Sequence, residues 1–363
     1  MENLDIVNRR LYNQRLVGAP FERPEDVVSW LGAVQAQEYA GAKWSLAQRA
    51  GGLTDAAIDQ AFAAGTILRT HVMRPTWHFV TPADIRWLLK LTAPRVKAAM
   101  AYYYRKFELD DAIFAQTNAV LAEALQGGKQ LMRSELESAL QQAGIITDNE
   151  DRERIGHIMM NAELDAVICS GGRRGKQFTY ALLEERAPHA TTLERKEAQA
   201  ELARRYFISR GPATVYDYSW WSGQTVGDAR EGLQMVASQL ASAVIDDKTY
   251  WFSPDMSAGP APPTAHLLPT FDEYFIAYKD RSAAFDPEYS GNHPEYMDQI
   301  NRDNGQTIVI AGNVVGTWKR TFKKGAVLLA LNPFSPLTEA QSAAVSDATE
   351  RFGKFLQMPI LLS

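Results

Sequence analysis

Three times along the chain, apolar residues at helical spacing give way to two short strand-like segments joined by a tight connection. These segments are rich in β-branched and aromatic residues and are bounded by Gly, Pro or polar residues, which is typical of β-hairpins. The predicted pairs are TILRTHVM with WHFVTP, AVICS with QFTYALL, and SAVIDD with YWFSP. Their predicted connections are Arg74–Thr76, residues 171–176 and Lys248–Thr249.

Helix starts are expected before these hairpins. Ser134 with Glu137 and Thr225 with Asp228 have the spacing of capping boxes, in which side chain and backbone satisfy each other's hydrogen bonds. Pro24 suits the first turn of a helix. Helices followed by a hairpin are the order of a winged helix. The sequence therefore predicts three tandem winged-helix units, at residues 1–95, 96–190 and 191–262.

The C-terminal part of the chain has a different pattern. A proline-rich stretch, SAGPAPPTAHLLP at residues 257–269, is typical of a linker. Strand-like runs follow, with a turn expected at Ala311–Asn313 and a final helix from the N-cap Thr338 to Phe355. These runs are DEYFIAYK, TIVIAGNVVGTWKRTF and GAVLLALNPF. Residues 263–363 are thus predicted to form a small β-barrel closed by one helix, in an α+β fold.

Composition narrows the class of protein. Of the 363 residues, 46% are hydrophobic and 22% are charged, which is ordinary for a soluble globular protein. No run of about 18 apolar residues predicts a membrane span, and the first residues lack the apolar core of a signal peptide. Cys169 is the only cysteine, which excludes a disulfide framework and a thiolate metal site. A cytoplasmic protein is expected.

The net charge of −5 argues mildly against a nucleic-acid partner, because such proteins usually carry a basic excess. Local charge decides whether a phosphate backbone can dock, however, and here the charge is uneven. The basic runs are RLYNQR at 10–15, GGRRGK at 171–176 and WKRTFKK at 318–324.

Two glutamines, Gln35 and Gln37, stand one alanine apart in the apolar stretch WLGAVQAQEYAGAKWSLAQRA. A buried amide without a partner costs about 1–3 kcal/mol, so these side chains either bond to nearby carbonyls at helix ends or face a ligand. Residues two apart on an α-helix point about 200° apart, so they share a side only in an extended or irregular backbone. We therefore predict that the helix from Pro24 ends near Gln35 and that Gly41 closes the turn before the next helix.

Long segments of the chain are similar to the AlkZ/YcaQ-like bacterial DNA glycosylases, and the similarity spans nearly the whole sequence. The segments that carry it are AVQAQEYAGAKWSLAQR, ILRTHVMRPTWHFVTPADI, AELDAVICSGGRRGKQFTYALLEER, ELARRYFISRGPATVYDYSWWSG, LLPTFDEYFIAYKDR and VVGTWKR. The resemblance implies three tandem winged helices and a β-barrel, C-shaped around a channel of the size of DNA. It also implies a catalytic signature of glutamine, an aliphatic residue and glutamine, which Gln35 and Gln37 match around a rather small Ala36.

The implied reaction is hydrolysis of the N-glycosidic bond of N7-alkylated guanine in double-stranded DNA. Alkylation makes the base cationic, so it leaves as a neutral molecule and needs no general acid. The sugar that remains resembles an oxocarbenium ion, for which a well-positioned water suffices. Amides can hold that water through their C=O and NH₂ groups, and unlike carboxylates they do not repel phosphates.

Basic residues of two hairpins are candidate DNA contacts. Arginine and lysine at a hairpin tip bind phosphates or enter the minor groove, although a solvated turn has similar residues. Strand alternation places Arg69 and His71 on one face, where they would line the channel beside the glutamines, or else lie in the core with His78. Metal binding is not expected, since no third ligand has suitable spacing. The predicted DNA-binding residues are Arg69, His71, Arg74, Arg173, Arg174, Lys176 and Gln177.

Other chemically suggestive residues have plainer interpretations. Asp272 and Glu273, expected at the entrance of a barrel strand, are better suited to a structural salt bridge than to catalysis. Trp220 and Trp221 are more often core residues than base-stacking platforms. Cys169 is predicted to be a small buried hydrophobe.

The preferred interpretation is a monomeric DNA glycosylase without metal or cofactor, cytoplasmic and associated with the nucleoid. The alternative is a non-catalytic winged-helix DNA-binding protein or regulator, which three copies in one chain make less attractive, since regulators usually pair two half-site readers. The sequence leaves open which lesion is physiological (a methyl adduct, a bulky adduct or a crosslink), whether the base is flipped, and whether a lyase step follows.

Overall fold

The computed structural model describes residues 5–147, 152–255, 264–285, 294–303 and 305–363, and it confirms a mixed α+β fold. The helices are α1 Ile6–Asn13, α2 Pro24–Leu31, α3 Tyr39–Ala47, α4 Asp55–Ala64, α5 Ile85–Lys106, α6 Asp111–Leu125, α7 Arg133–Gln142, α8 Arg152–Leu164, α9 Leu183–Arg186, α10 Arg195–Arg210, α11 Val215–Ser222, α12 Val226–Val236, α13 Glu273–Ile276, α14 Pro294–Arg302 and α15 Glu339–Leu356. The strands are β1 Val34–Gln35, β2 Leu68–Val72, β3 Arg74–Val80, β4 Gln130–Met132, β5 Ile168–Arg174, β6 Gln177–Leu182, β7 Ala241–Ile245, β8 Lys248–Phe252, β9 Ala265–Leu268, β10 Thr307–Ile310, β11 Asn313–Lys323, β12 Ala326–Pro333 and β13 Ile360–Leu362.

The chain divides into two compact units, each assembled from separate stretches of sequence. The first unit comprises Met1–Ile58, Ala200–Trp221 and Val226–Ser363, and the second comprises Asp59–Gln199 and Ser222–Thr225. The assignment of three winged helices, their boundaries at residues 95, 190 and 262, and the C-shaped channel stay predictions.

All three predicted hairpins are present, but two of their turns lie elsewhere, and the second connection is shorter than predicted because residues 171–174 belong to strand β5. Strand β2 pairs with β3, β5 with β6, and β7 with β8, each antiparallel. The first turn is at Met73, whose φ is +63°, so Arg74 and Pro75 belong to strand β3 rather than to the connection. The third turn is at Asp246 and Asp247, both with positive φ, rather than at Lys248. Two adjacent positive φ angles are the geometry of a type I′ hairpin turn, which Asp tolerates.

The C-terminal strands of the first unit form an open sheet, not the predicted barrel. Within the described residues the order is β13-β12-β11-β10-β9, with β12 and β13 parallel and the other pairs antiparallel. The predicted turn at Ala311–Asn313 is confirmed, with left-handed φ at Ala311 and Gly312. Helix α15 begins after its N-cap Thr338, as predicted.

Two predictions at the start of this region were wrong. Residues 257–263 of the predicted linker lie outside the described residues, but its second half forms strand β9, which pairs with β10. The segment DEYFIAYK is not a strand, because Asp272 accepts the N–H of Tyr274 and caps the short helix α13. A carboxylate that caps backbone N–H groups favours a helix start over an extended strand.

The predicted helix starts were partly right. Helix α2 has Pro24 in its first turn, and α12 begins directly after Thr225. Helix α7 begins one residue before Ser134, and the carboxylate of Glu135, not Glu137, accepts the N–H of Met132 at 2.6 Å. The capping residue was therefore placed two positions too late.

An aromatic cluster joins helix α15 of the first unit to its sheet. The ring of Phe352 lies 5.0 Å from that of Trp44 and 5.2 Å from that of Trp318, both at steep angles. The indole N–H groups of Trp44 and Trp318 donate to the carbonyls of Leu267 and Leu268 in strand β9. Edge-to-face rings with satisfied N–H groups stabilise a core beyond the area that they bury.

The second unit has its own core, built from helices α6, α7 and α8 with strand β5. Cys169 of β5 is fully buried, as predicted, and burial raises the pKa of its thiol to about 12. Such a thiol stays protonated and unreactive at neutral pH. None of the described helices is long and apolar enough to cross a membrane.

The stability of the first unit is expected to fall in acid because of His266 in β9. Burial, with Arg351 and Arg49 nearby, lowers the pKa of His266 from 6.5 to about 3. Since the folded-state pKa is depressed, the unfolded chain binds the proton first, and stability is lost as the pH falls from about 6.5 to about 3. The expected slope is about 1.4 kcal/mol per pH unit. Urea unfolding of wild type and His266→Gln between neutral and acidic pH measures it, and equal pH dependence in both would contradict this assignment.

Candidate functional site

The glutamine pair follows the end of helix α2 in the first unit. The helix ends at Leu31, four residues before the predicted position, because Gly32 adopts a left-handed φ of +73° and stops it. Val34 and Gln35 are then extended as strand β1. Gly41 does not close a turn: it lies inside helix α3, where its N–H donates to the Glu38 carboxylate at 2.6 Å.

The backbone around the pair is extended or irregular and not helical, as predicted, and a common side for the two glutamines stays a prediction. Gln35 is the last residue of the two-residue strand β1, and Ala36 and Gln37 lie beyond it, with a bend at Gln37. The intervening Ala36 is fully buried, Gln35 is 8% exposed and Gln37 is exposed. The pair therefore spans the boundary between the core and the surface, with Gln35 on the buried side and Gln37 on the exposed side.

A buried ion pair holds the backbone beneath Gln35. The carboxylate of Glu273 accepts the backbone N–H of Gln35 at 2.9 Å, and its other oxygen contacts the Arg210 guanidinium at 2.7 Å. Arg210 also donates to the carbonyls of Leu31 at 2.6 Å and Ala33 at 2.9 Å. Both charged side chains are 0% exposed. Because charge-assisted bonds between buried groups are strong and directional, this pair fixes the path of residues 31–35.

The indole of Trp221 completes this cluster, which we call the Glu273 cradle and define as Glu273, Arg210 and Trp221. Its Nε1–H donates to Glu273 at 3.0 Å, and its ring lies 4.2 Å from the Arg210 guanidinium. Each carboxylate oxygen thus has a protein donor. Because both oxygens of Glu273 accept hydrogen bonds from the protein, Glu273 is not placed to act as a base on a substrate.

A second buried ion pair stands beside the cradle. Asp272 accepts two bonds from Arg49, at 2.8 and 2.9 Å, and one from the Ser45 hydroxyl at 2.6 Å. Burial alone would raise the pKa of Asp272, but Arg49 outweighs it, and the pKa lies below its usual value. The predicted structural salt bridges of Asp272 and Glu273 are therefore confirmed, although they belong to a helix start and not to a strand.

Tyr278 connects the two ion pairs through its hydroxyl group. It accepts a bond from the Gln14 amide at 2.9 Å and donates to the carbonyl of Arg210 at 2.7 Å. Gln14 in turn accepts from Arg49 at 3.0 Å. The backbone of the glutamine segment thus rests on a continuous buried polar network, which makes its position insensitive to single weak contacts.

The residue after the pair is fixed as well. Glu38 caps helix α3 and contacts Arg320 of strand β11 at 3.2 Å. With the cradle on one side and this contact on the other, both ends of the segment 35–38 are anchored. The arrangement can present two neutral amides in constant geometry to a small polar molecule such as water, which is what positioning catalysis requires.

In the second unit, the β5–β6 hairpin carries the other predicted basic residues. Arg174 is exposed and contacts Glu135 at 2.9 Å, while Arg173 is half-buried, with its guanidinium 5.3 Å from the Phe178 ring. Lys176 and Gln177 are exposed beside the turn at Gly175. The backbone of this hairpin is tied to strand β4, since the Gly172 N–H donates to the Gln130 side chain at 2.6 Å.

The β2–β3 hairpin buries most of its predicted contact residues. Arg69 and His71 both lie against Trp77, at 4.2 and 4.3 Å, so they share a face as strand alternation predicted. Each is 7% exposed, and His78 is fully buried with its Nδ1 at 2.9 Å from the Thr76 carbonyl. Arg74, in strand β3, is half-buried. DNA contact by Arg69, His71 and Arg74 stays a prediction.

Sequence reasoning missed two of the groups that hold the glutamine segment. Arg210 was not singled out, although a charged residue within the aromatic run RYFISR signals a buried ion pair. Trp221 was assigned to the core, which its full burial confirms, but not to hydrogen bonding with Glu273. The core interpretation was wrong for Trp220, which is 48% exposed and donates to the Ile276 carbonyl.

Across the described ranges, no group of three or more His, Cys, Asp and Glu side chains is arranged to hold a metal ion. The expectation of a site without metal or cofactor stays a prediction.

The chain is similar to known proteins in both sequence and fold. The family described as "DNA glycosylase AlkZ-like" matches residues 28–355. A relative from Streptomyces sahachiroi, named "Interstrand DNA cross-link repair glycosylase", is 24% identical over 310 residues, 81% of each chain. The solved structure of Streptomyces sahachiroi DNA glycosylase AlkZ has a similar fold, with a TM-score of 0.80, 20% identity, and coverage of 99% of this chain and 98% of that chain.

Proposed function

Because the chain belongs to the AlkZ-like family of DNA glycosylases, enzymes that hydrolyse N-glycosyl bonds, we propose that it releases N7-alkylated guanine from double-stranded DNA. Gln35 and Gln37 hold the water that attacks the sugar. The observation that carries this proposal is the anchored segment: two neutral amides at the core boundary, with the backbone of the first bonded to a fully buried carboxylate.

The pairing of the charged residues near residues 35–38 supports this chemistry. The nearby carboxylates of Asp272 and Glu273 are paired with Arg49 and Arg210, so negative charge is neutralised behind the glutamines. A phosphate backbone can then approach amides without repulsion. The cationic base needs no proton to depart, so the site needs only to orient water toward the developing positive charge at the sugar.

Base release tests the proposal directly against the alternative of a DNA-binding regulator. Duplexes that contain N7-methylguanine are incubated with the protein, and abasic sites are scored after strand cleavage. Since one relative is named for interstrand cross-link repair, a crosslinked duplex belongs in the same panel. Sequence-selective retention of unmodified DNA without base release would favour the regulator. We further propose that the protein acts as a monomer in the cytoplasm.

The hairpin tip of β5–β6 is expected to contact phosphates. Lys176→Gln should weaken DNA binding about equally for all sequences and lower the slope of log affinity against log salt by about 1, because one counterion fewer is released. Lys354→Gln removes the same charge from an exposed site on α15 and serves as the control. Equal salt slopes for Lys176→Gln and wild type, measured by fluorescence anisotropy, would remove Lys176 from the interface.

A further inference from the structure

A cavity of about 420 Å³ lies within the second unit, between the β2–β3 hairpin and helices α5 and α8. Much of its wall is aromatic, with Trp77, Tyr103, His157 and Tyr180 among the lining residues. Tyr103 is 40% exposed, so its ring reaches solvent at the opening. The volume and the aromatic wall are typical of a site for a small flat molecule.

The cavity also contains a buried carboxylate. Glu163 is 2% exposed, and it accepts the backbone N–H of His71 at 3.1 Å and the Trp77 indole N–H at 3.5 Å. Among the described residues it forms an ion pair with the ring of His71, which is a cation only when it is protonated. A buried carboxylate without a permanent cation is costly, and an incoming positive charge would stabilise it.

The other charged groups of the wall already have partners of opposite charge. Arg133 also lines the cavity, but its guanidinium already contacts Glu137 at 2.8 Å. Two carboxylates line the cavity, but the exposed Glu153 already contacts Lys106 at 3.5 Å, so the buried Glu163 is the one that an incoming cation would stabilise. Burial lowers the pKa of His157, so that imidazole stays neutral and does not oppose a cation.

One polar atom of the wall lacks a partner. The ring of His157 is stacked on that of Tyr103, with centroids 5.1 Å apart, and its Nδ1 has no hydrogen-bond partner among the described residues. Buried polar atoms are usually satisfied, so an orphan in a cavity wall indicates a group that a ligand completes. The ring nitrogens and amino groups of a purine offer such partners.

We propose that this cavity binds a planar, positively charged heteroaromatic ring, and that the ring is the N7-alkylated guanine on which the proposed function rests. N7-alkylated guanine occurs in two forms here: the lesion still bonded to its sugar, whose ring is cationic, and the released base, which is neutral. Aromatic walls with a carboxylate distinguish these forms, because cation–π attraction and ion pairing apply to the charged form alone. The cavity would therefore bind the alkylated nucleoside in preference to the released base.

Equilibrium dialysis with three probes tests this proposal: 7-methylguanosine at a pH where its ring is cationic, guanosine, and free 7-methylguanine. We expect wild type to bind 7-methylguanosine about tenfold more tightly than either neutral probe, a difference of the size that one cation–π contact and a carboxylate supply. Glu163→Gln should reduce this preference to about twofold or less.

Two tyrosine variants test the cavity independently of whether Glu163→Gln folds. Tyr103→Ala removes an exposed ring of the wall and should weaken 7-methylguanosine binding about fivefold. Tyr216→Ala removes a ring of the first unit that is 49% exposed and is not among the lining residues, and it should change nothing.

Equal binding of the three probes, no detectable binding by wild type, or equal effects of the two tyrosine variants would overturn the proposal. Base release from N7-methylguanine DNA, measured on the same wild-type protein, separates this failure from that of the proposed function. Release without nucleoside binding would reject the cavity alone. Nucleoside binding without release would reject the glycosylase activity alone.

Discussion

Replacing Gln35 or Gln37 by alanine is expected to slow the release of N7-methylguanine from duplex DNA about 100-fold, with little change in DNA affinity. Each substitution removes one of the two amides that orient the attacking water, and misplacement of a reactant by about 1 Å costs a factor of this size. Because both amides act on the same water, the double variant should be hardly slower than either single variant. Single-turnover rates, which exclude product release, are the measurement.

A matched control separates this effect from general loss of an amide. Gln126→Ala removes the same group from the exposed C-cap of helix α6 and should leave the rate unchanged. Full activity of both Gln35→Ala and Gln37→Ala would remove these residues from the mechanism. Loss of DNA binding in parallel with the loss of rate would instead make them contact residues.

Glu273→Gln is expected to lower both the stability of the protein and its rate of base release. It leaves the Arg210 guanidinium buried without a counter-charge, which typically lowers the free energy of unfolding by about 3–5 kcal/mol. It also weakens the acceptor for the Gln35 N–H, so base release by the folded fraction should fall at least about tenfold. Urea unfolding gives the first effect and the single-turnover rate, corrected for the folded fraction, gives the second.

The adjacent carboxylate supplies the control for this prediction. Asp272→Asn breaks an equally buried ion pair with Arg49 and should destabilise the protein to a similar degree. Asp272 does not accept the Gln35 N–H, so the folded fraction of the Asp272→Asn variant should retain most of the rate of base release. If the two variants lose the same activity after correction, Glu273 stabilises the fold without positioning Gln35.

Local signals in the sequence predicted local structure well. Pro24 at the start of α2 and Thr338 at the start of α15 were identified because capping and first-turn preferences depend on a few neighbouring residues. The hairpins were found because β-branched and aromatic runs with breakers are equally local. The end of α2 was missed although Gly32, a common residue at helix ends, was available as a signal.

Long-range pairing could not be predicted in the same way. Glu273 is 63 residues from Arg210 and 238 residues from Gln35 along the chain, and no local pattern specifies which buried charges meet. The aromatic residues of DEYFIAYK resembled a strand, but Tyr274 and Tyr278 are four residues apart and both are buried. The sequence indicated that the two acidic residues form ion pairs, and the fold supplied their partners.

The open sheet shows a further limit of sequence reasoning. Strands β10, β11 and β12 were expected from their composition, but closure into a barrel depends on strand number and tilt, which composition does not encode. The prediction of a proline-rich linker was wrong in its second half, which forms strand β9. Strand β9 pairs with β10, about 40 residues further along the chain, and no local pattern specifies that pairing.

One measurement tests the central claim most directly: wild-type protein is incubated with a duplex that carries a single N7-methylguanine, and free base and abasic sites are quantified over time. The account predicts equal amounts of free 7-methylguanine and abasic sites from the alkylated duplex, and neither product from the unmodified duplex. Tight binding of the alkylated duplex without any released base would contradict it.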